Sequence, residues 1–195
     1  MPITIDGTGS ISGLSAGGLP DLSVATADIA AGAVTQAKRS EDLTLDTAKA
    51  STSGTTVDFT GIPSWVKRIT VMLNGVSTSG TSSLRFQLGT SGGVQTTGYT
   101  TANTRIGASA VIAASATAGW EVNSATAAST SRGAIVFTRI DGDAWVGAGT
   151  IASSEPAVSW TSGSKDLAAT LDRVRVTTAN GTDTFDAGSI NILYE

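Results

Sequence analysis

The sequence predicts an all-β fold, an antiparallel, jelly-roll-like β-sandwich preceded by an extended Gly/Ala-rich N-terminal arm. Three observations carry that expectation. From about residue 51, apolar and polar residues alternate at the period of half-buried strands. Gly, Asn and Asp punctuate the alternating runs, with turns roughly every ten to fifteen residues. No long amphipathic helix separates one run from the next, which excludes a Rossmann fold or a TIM barrel. The expected division is residues 1–50 as an arm with a short repeat connector and residues 51–195 as the β-domain.

The arm reads differently from the rest. Residues 7–20, GTGSISGLSAGGLP, are Gly and Ser punctuated by Ile11, Leu14 and Leu19. That spacing is too sparse to bury by itself and too apolar for a free linker, so the segment needs a surface to lie on. Residues 23–40, SVATADIAAGAVTQAKRS, say one phrase twice: Val24 and Ala27 recur as Val34 and Ala37. Thr26 can cap a helix from Ala27, with Asp28 in the first turn complementing the dipole. Ile29, Ala33 and Ala37 would then share a face, while Gly32 costs about 1 kcal/mol relative to Ala. Residues 27–39 are therefore a short helix or a loop, stable only where a partner covers that narrow face.

The strands follow in order. In VKRITVMLNGV, Ile69, Val71 and Leu73 fall on one face and Arg68, Thr70 and Asn74 on the other. Leu84, Phe86 and Leu88 repeat the pattern against Arg85 and Gln87. RGAIVFTRI and AWVGAGTIA flank Asp141-Gly142-Asp143, a hairpin with an Asp-Gly turn suited to strand twist. A second hairpin is expected at Asn180-Gly181, between DRVRVTTA and TDTFDAGSINILYE. TRIGASAVIAAS, GWEVNS and KDLAATL supply further strands, for roughly eight in all, a number that suits a sandwich. Ile190, Ile192 and Tyr194 alternate up to Glu195, so the chain is expected to end within a strand.

Composition narrows the chemistry. The chain has no cysteine, which removes disulfides and thiolate sites, and no histidine, which removes imidazole catalysis and His-ligated zinc. Only 14% of residues are charged, with a net charge of -4 and no basic stripe, so nucleic acid is not an expected partner. No apolar run approaches the roughly 20 residues of a membrane helix, and MPITIDGTGSISG lacks the basic and apolar regions of a secretion signal. A soluble product made in the cytoplasm of its producer is expected.

Carboxylates near tryptophans are the one enzyme-like feature. Glu121 follows Trp120, Asp141 and Asp143 precede Trp145, and Glu155 lies shortly before Trp160. A glycosidase needs two such groups facing across a sugar. Asp141 and Asp143 flank a tight turn, where Asp is favoured for its backbone hydrogen bonds, and that role accounts for them. Lys38, Lys49, Lys67 and Lys165 have no motif around them to make a base for a serine nucleophile. The Gly pairs of SAGG and TSGG lack the helix and lysine of a phosphate loop, and the Asp-Gly turns have too few ligands for a calcium loop. No catalytic residue, metal site or cofactor is expected. Trp65 is expected where the first strand pair turns. Trp120 and Trp160, set among Gly, Ser and Thr, either pack in the core or on a neighbouring subunit or, if exposed, stack on a saccharide.

Two segments resemble a known family. GTGSISGLSAGGLPDLSVATADIAAGAVTQAKR is similar to the Gly-rich lead and short repeats of bacteriophage tail-fibre and other virion-appendage proteins. VDFTGIPSWVKRITVMLNGVSTSGTSSLRFQLG looks like the start of a β-domain found after such repeats. Together they cover about half the chain, with only two repeat units where long fibres have many. The resemblance implies a short homotrimeric tail fibre, a virion structural protein made in the host bacterial cytoplasm and not an enzyme. In that reading Ile11, Leu14, Leu19, Val24, Ile29 and Val34 make the virion-docking or trimer contacts. The β-domain is displayed for adhesion to a host-surface glycan, with Trp120 and Trp160 as candidate glycan contacts. A head fibre or capsid decoration protein is the alternative, and a polysaccharide depolymerase a more distant one.

Overall fold

The computed structural model describes Ile29 and residues 43–108, 110–123, 126–127 and 129–195. Two units divide the chain, residues 1–40 and 41–195. Among the described residues the structure is all-β. The strands are β1 (Thr44–Leu45), β2 (Lys49–Ala50), β3 (Thr56–Thr60), β4 (Arg68–Thr78), β5 (Leu84–Thr90), β6 (Gly93–Val94) and β7 (Tyr99–Ile106). They continue as β8 (Val111–Ala116), β9 (Trp120–Val122), β10 (Ser131–Asp141), β11 (Ala144–Ser153), β12 (Ala157–Asp166), β13 (Leu171–Thr178) and β14 (Phe185–Tyr194). Residues 44–50, expected in the arm, belong to the sheet: β1 and β2 both pair with β14.

The strands form two antiparallel sheets. The nine-stranded sheet runs β1-β14-β4-β10-β11-β12-β7-β8 with β2 also on β14, and the five-stranded sheet runs β3-β13-β5-β6 with β9 also on β5. One apolar core contains side chains of both, consistent with a β-sandwich. Ile69, Val71, Ile135, Phe137, Ile190 and Ile192 come from the larger sheet, and Phe59, Phe86, Leu88, Val174 and Val176 from the smaller. Each is fully buried, and each such side chain contributes about 1.5–3 kcal/mol relative to an exposed one. The alternation read from VKRITVMLNGV and from Leu84 to Leu88 therefore places its apolar members inward as expected.

The turns divide. Asp141-Gly142-Asp143 closes the β10–β11 hairpin, with Gly142 at φ +49° and its N–H donating to Asp141 Oδ1 at 2.8 Å. The Asn180-Gly181 hairpin is not formed. β13 lies in the smaller sheet and β14 in the larger, so this turn is a corner that carries the chain across the core. Asn180 Oδ1 accepts from the N–H groups of Thr182 and Asp183, at 3.0 and 3.1 Å, and Gly181 takes φ +71°. Two strands with one apolar face each can bury those faces side by side or from opposite sides of the core, and a period of two is the same in both arrangements. KDLAATL is likewise mostly connection: β12 ends at Asp166 and β13 begins at Leu171, with Leu167 buried between them.

Tyr99 ties β7 to the smaller sheet. Its hydroxyl accepts from Leu88 N at 2.9 Å and lies 2.8 Å from the Gln95 carbonyl and 3.1 Å from that of Leu88. Burial pushes its pKa up to about 12, although the Leu88 N–H favours the ionised form. A raised folded-state value means stability that is complete below the unfolded value near 10 and is lost as pH rises towards 12. Unfolding free energy measured from pH 9 to 12 is expected to fall by about 2–3 kcal/mol through this group, and Tyr99→Phe to flatten that part of the profile. An unchanged slope in the variant would remove Tyr99 from the explanation.

Candidate functional site

The two sheets differ in what they turn outward. On the smaller sheet Asp58, Arg175 and Gln87 are cross-strand neighbours, and so are Arg85 and Glu121. Arg175 Nε and Nη2 each donate to one Asp58 oxygen at 2.7 Å, a fork-to-fork pair that also raises the arginine pKa further. Arg85 donates through Nε and Nη2 to Glu121 Oε1 at 2.9 and 2.6 Å. This is the dress of a solvated face.

The larger sheet turns out an uncharged face. Its cross-strand register sets Met72, Ala134, Thr150, Trp160, Thr104 and Ala113 in one outward row. The next row is Thr70, Val136, Ala148, Ser162, Ala102 and Ser115. Neither contains an ionisable side chain. Arg68 and Arg132, two residues beyond these rows along β4 and β10, bound the neutral area. Trp160 stands near its middle, 43% exposed, beside a shallow depression of about 340 Å³ that Thr104, Ala148, Thr150 and Ser162 also line. Small neighbours leave one face of its indole open.

Trp120, the other candidate glycan contact, is in the core. In β9 the order Trp-Glu-Val sends Trp120 and Val122 inward and Glu121 out to Arg85. Its ring is fully buried, with centroids 4.7 Å from Phe137 and 5.2 Å from Tyr99, and no surface ligand can reach it. The strand expected in GWEVNS is β9, but three alternating residues do not say which of their two faces meets the core. Trp145 is also buried, while Trp65 packs against Tyr194 with centroids 6.0 Å apart. Of the docking residues, Ile29 is exposed; Ile11, Leu14, Leu19, Val24 and Val34 lie outside the described residues, as does most of 27–39.

Three of the four carboxylates weighed for catalysis have a structural partner. Glu121 pairs with Arg85, Asp141 holds its turn, and Glu155 Oε2 accepts from Arg105 Nη2 at 2.6 Å. Arg105 points inward from β7 and is 8% exposed, so this pair seals the polar end of the inner face. Among the described residues no group of three or more acidic side chains is placed to hold a metal ion. Apart from Trp160 the neutral sheet face was missed by sequence reasoning, because its members lie on six strands far apart in the chain and the others are individually ordinary. Compared with protein-family models, curated proteins and solved structures, the chain matches none.

Proposed function

We propose that the chain is a structural virion protein, a short trimeric phage tail fibre whose N-terminal arm docks on the particle and whose β-domain is displayed for adhesion to the host surface. The observation that carries this reading is the contrast between the outward faces, one ion-paired and solvated, the other neutral, broad and centred on exposed Trp160. A face of that kind suits contact over an area and not turnover of a substrate. The reading takes eight strands as a jelly roll, with β2-β14-β4-β10 facing β3-β13-β5-β9 and with β11, β12, β7 and β8 widening the first sheet. The strand orders are compatible with it. Its sites are sheet faces and arm, with no cofactor and no nucleic acid.

Deleting residues 1–40 is expected to leave a β-domain with unchanged circular dichroism that no longer joins particles. Normal incorporation of the truncated chain into virions would overturn the docking role. A head fibre or capsid decoration protein shares every one of these features and differs in location, which labelling on assembled particles decides. The depolymerase reading needs carboxylates free to face a sugar, whereas Glu121 and Glu155 are held by arginines. Oligosaccharides released from host capsule by the purified protein would restore it.

A further inference from the structure

We infer that the neutral outward face of the nine-stranded sheet is covered by further copies of this chain, which turn the same face towards a shared axis. The inference rests on the homotrimer reading above and names the surface that makes the trimer. Three observations carry it.

The first is charge. Around a three-fold axis the residues nearest the axis meet their own copies and the others meet a different part of the neighbour's face. A charge near the axis therefore meets itself, and one farther out is buried without a partner unless the neighbour supplies one. Two complete rows on this sheet avoid charge, while the smaller sheet of the same domain places Asp58, Arg85, Glu121 and Arg175 on its outward positions. Both sheets come from one chain with one composition, and the difference belongs to the face.

The second is area. The neutral rows cross six strands from β4 to β8. At about 4.8 Å between strands and about 3.4 Å per residue, they and their flanking residues, with Arg68 and Arg132 at the margins, make a surface about 30 Å by 20 Å. That is about 600 Å² in projection, close to the roughly 800 Å² each partner contributes to a standard interface, and several times what one sugar ring covers.

The third is relief. Val136, Val146 and Met72 are half-buried and Trp160 is the tall side chain among Ala and Thr. A single exposed aromatic over small residues is the form of an anchor that enters a neighbour, with alanines letting the backbones approach. A saccharide platform would add planar amide or charged groups beside the ring. Here the hydroxyls of Thr104, Thr150 and Ser162 surround it, and Asn103, which also lines the depression, is buried on the inner face with its Oδ1 accepting from Asn123 Nδ2.

The test uses the full chain in sedimentation velocity and native mass spectrometry, with Trp160→Glu and Ala148→Arg on the face and Thr56→Glu on the opposite sheet. Wild type and Thr56→Glu are expected to be trimers. Both face variants are expected to dissociate at least about 100-fold more readily, since each would bury an unpaired charge, with unchanged β circular dichroism. In wild type, hydroxyl-radical oxidation of Trp160 is expected to be suppressed in the trimer, a readout that needs no variant. A trimer that persists in both face variants with Trp160 oxidised freely would overturn the face and leave the trimer reading standing. A wild-type monomer at tens of micromolar would overturn both. Loss of binding to host glycan in Trp160→Glu from a wild-type monomer would give the face to a saccharide instead.

Discussion

Trp120→Ala is expected to destabilise the β-domain by about 3–5 kcal/mol, the range for removing a large aromatic from a packed core. The indole is fully buried between Phe137 and Tyr99 and lies over Gly147 of β11. Its loss opens a cavity beside Phe137 and Tyr99, side chains that are themselves buried in the core. Native domains are stable by about 5–15 kcal/mol, so the variant should sit near the edge of folding. Urea unfolding followed by circular dichroism measures the difference. The comparison is Trp160→Ala, which removes the same side chain from the surface and should cost under about 1 kcal/mol in the monomer. Equal losses at the two positions would contradict the burial assigned to them.

Gly149→Val is expected to destabilise the domain as well, by the opposite mechanism. Gly149 occupies an inward position of β11, where an added Cβ would stand 2.2 Å from Ile135 Cγ1 and 2.5 Å from the Ala134 carbonyl oxygen. The first neighbour is a buried core side chain and the second is backbone inside a paired strand, so neither yields without moving β10. Overpacking of a filled core costs about 1–3 kcal/mol and more where backbone must shift, and the branched Val puts two further methyl groups into the same space. An unfolding midpoint matching wild type would show that β10 and β11 are less closely held than these distances state. Gly147 belongs to the same design: a Cβ there would meet Phe137 Cδ1 at 2.5 Å and Trp120 Cε2 at 2.9 Å. The glycines of AWVGAGTIA thus open the trough that Trp120 fills.

That trough also explains the glycines inside the AWVGAGTIA strand. Glycine in a sequence is first a turn residue, yet Gly147 and Gly149 lie mid-strand because of what crosses them. No local pattern reveals this, since Trp120 is far away in the chain. The same holds for the two tryptophans set among small residues. Trp120 and Trp160 have similar neighbours in sequence, and one is in the core while the other is on the surface, because β9 adds to the smaller sheet with Trp120 inward and β12 lies in the larger sheet with Trp160 outward.

By itself the sequence determined several of the strands and which face of those is buried. Ile69, Val71, Leu73, Leu84, Phe86 and Leu88 declare themselves by a period of two, and Asp-Gly at 141–142 by its turn chemistry, because these are properties of neighbours along the chain. Which strands stand side by side was decided only in three dimensions. The corner at Asn180-Gly181, the pairing of β1 and β2 with β14, and the neutral rows that run from Met72 through Trp160 to Ala113 all depend on contacts between distant segments. Alternation tells each strand that it has a buried side and is silent about its partner, so a surface assembled across six strands exists only once the sheet has formed.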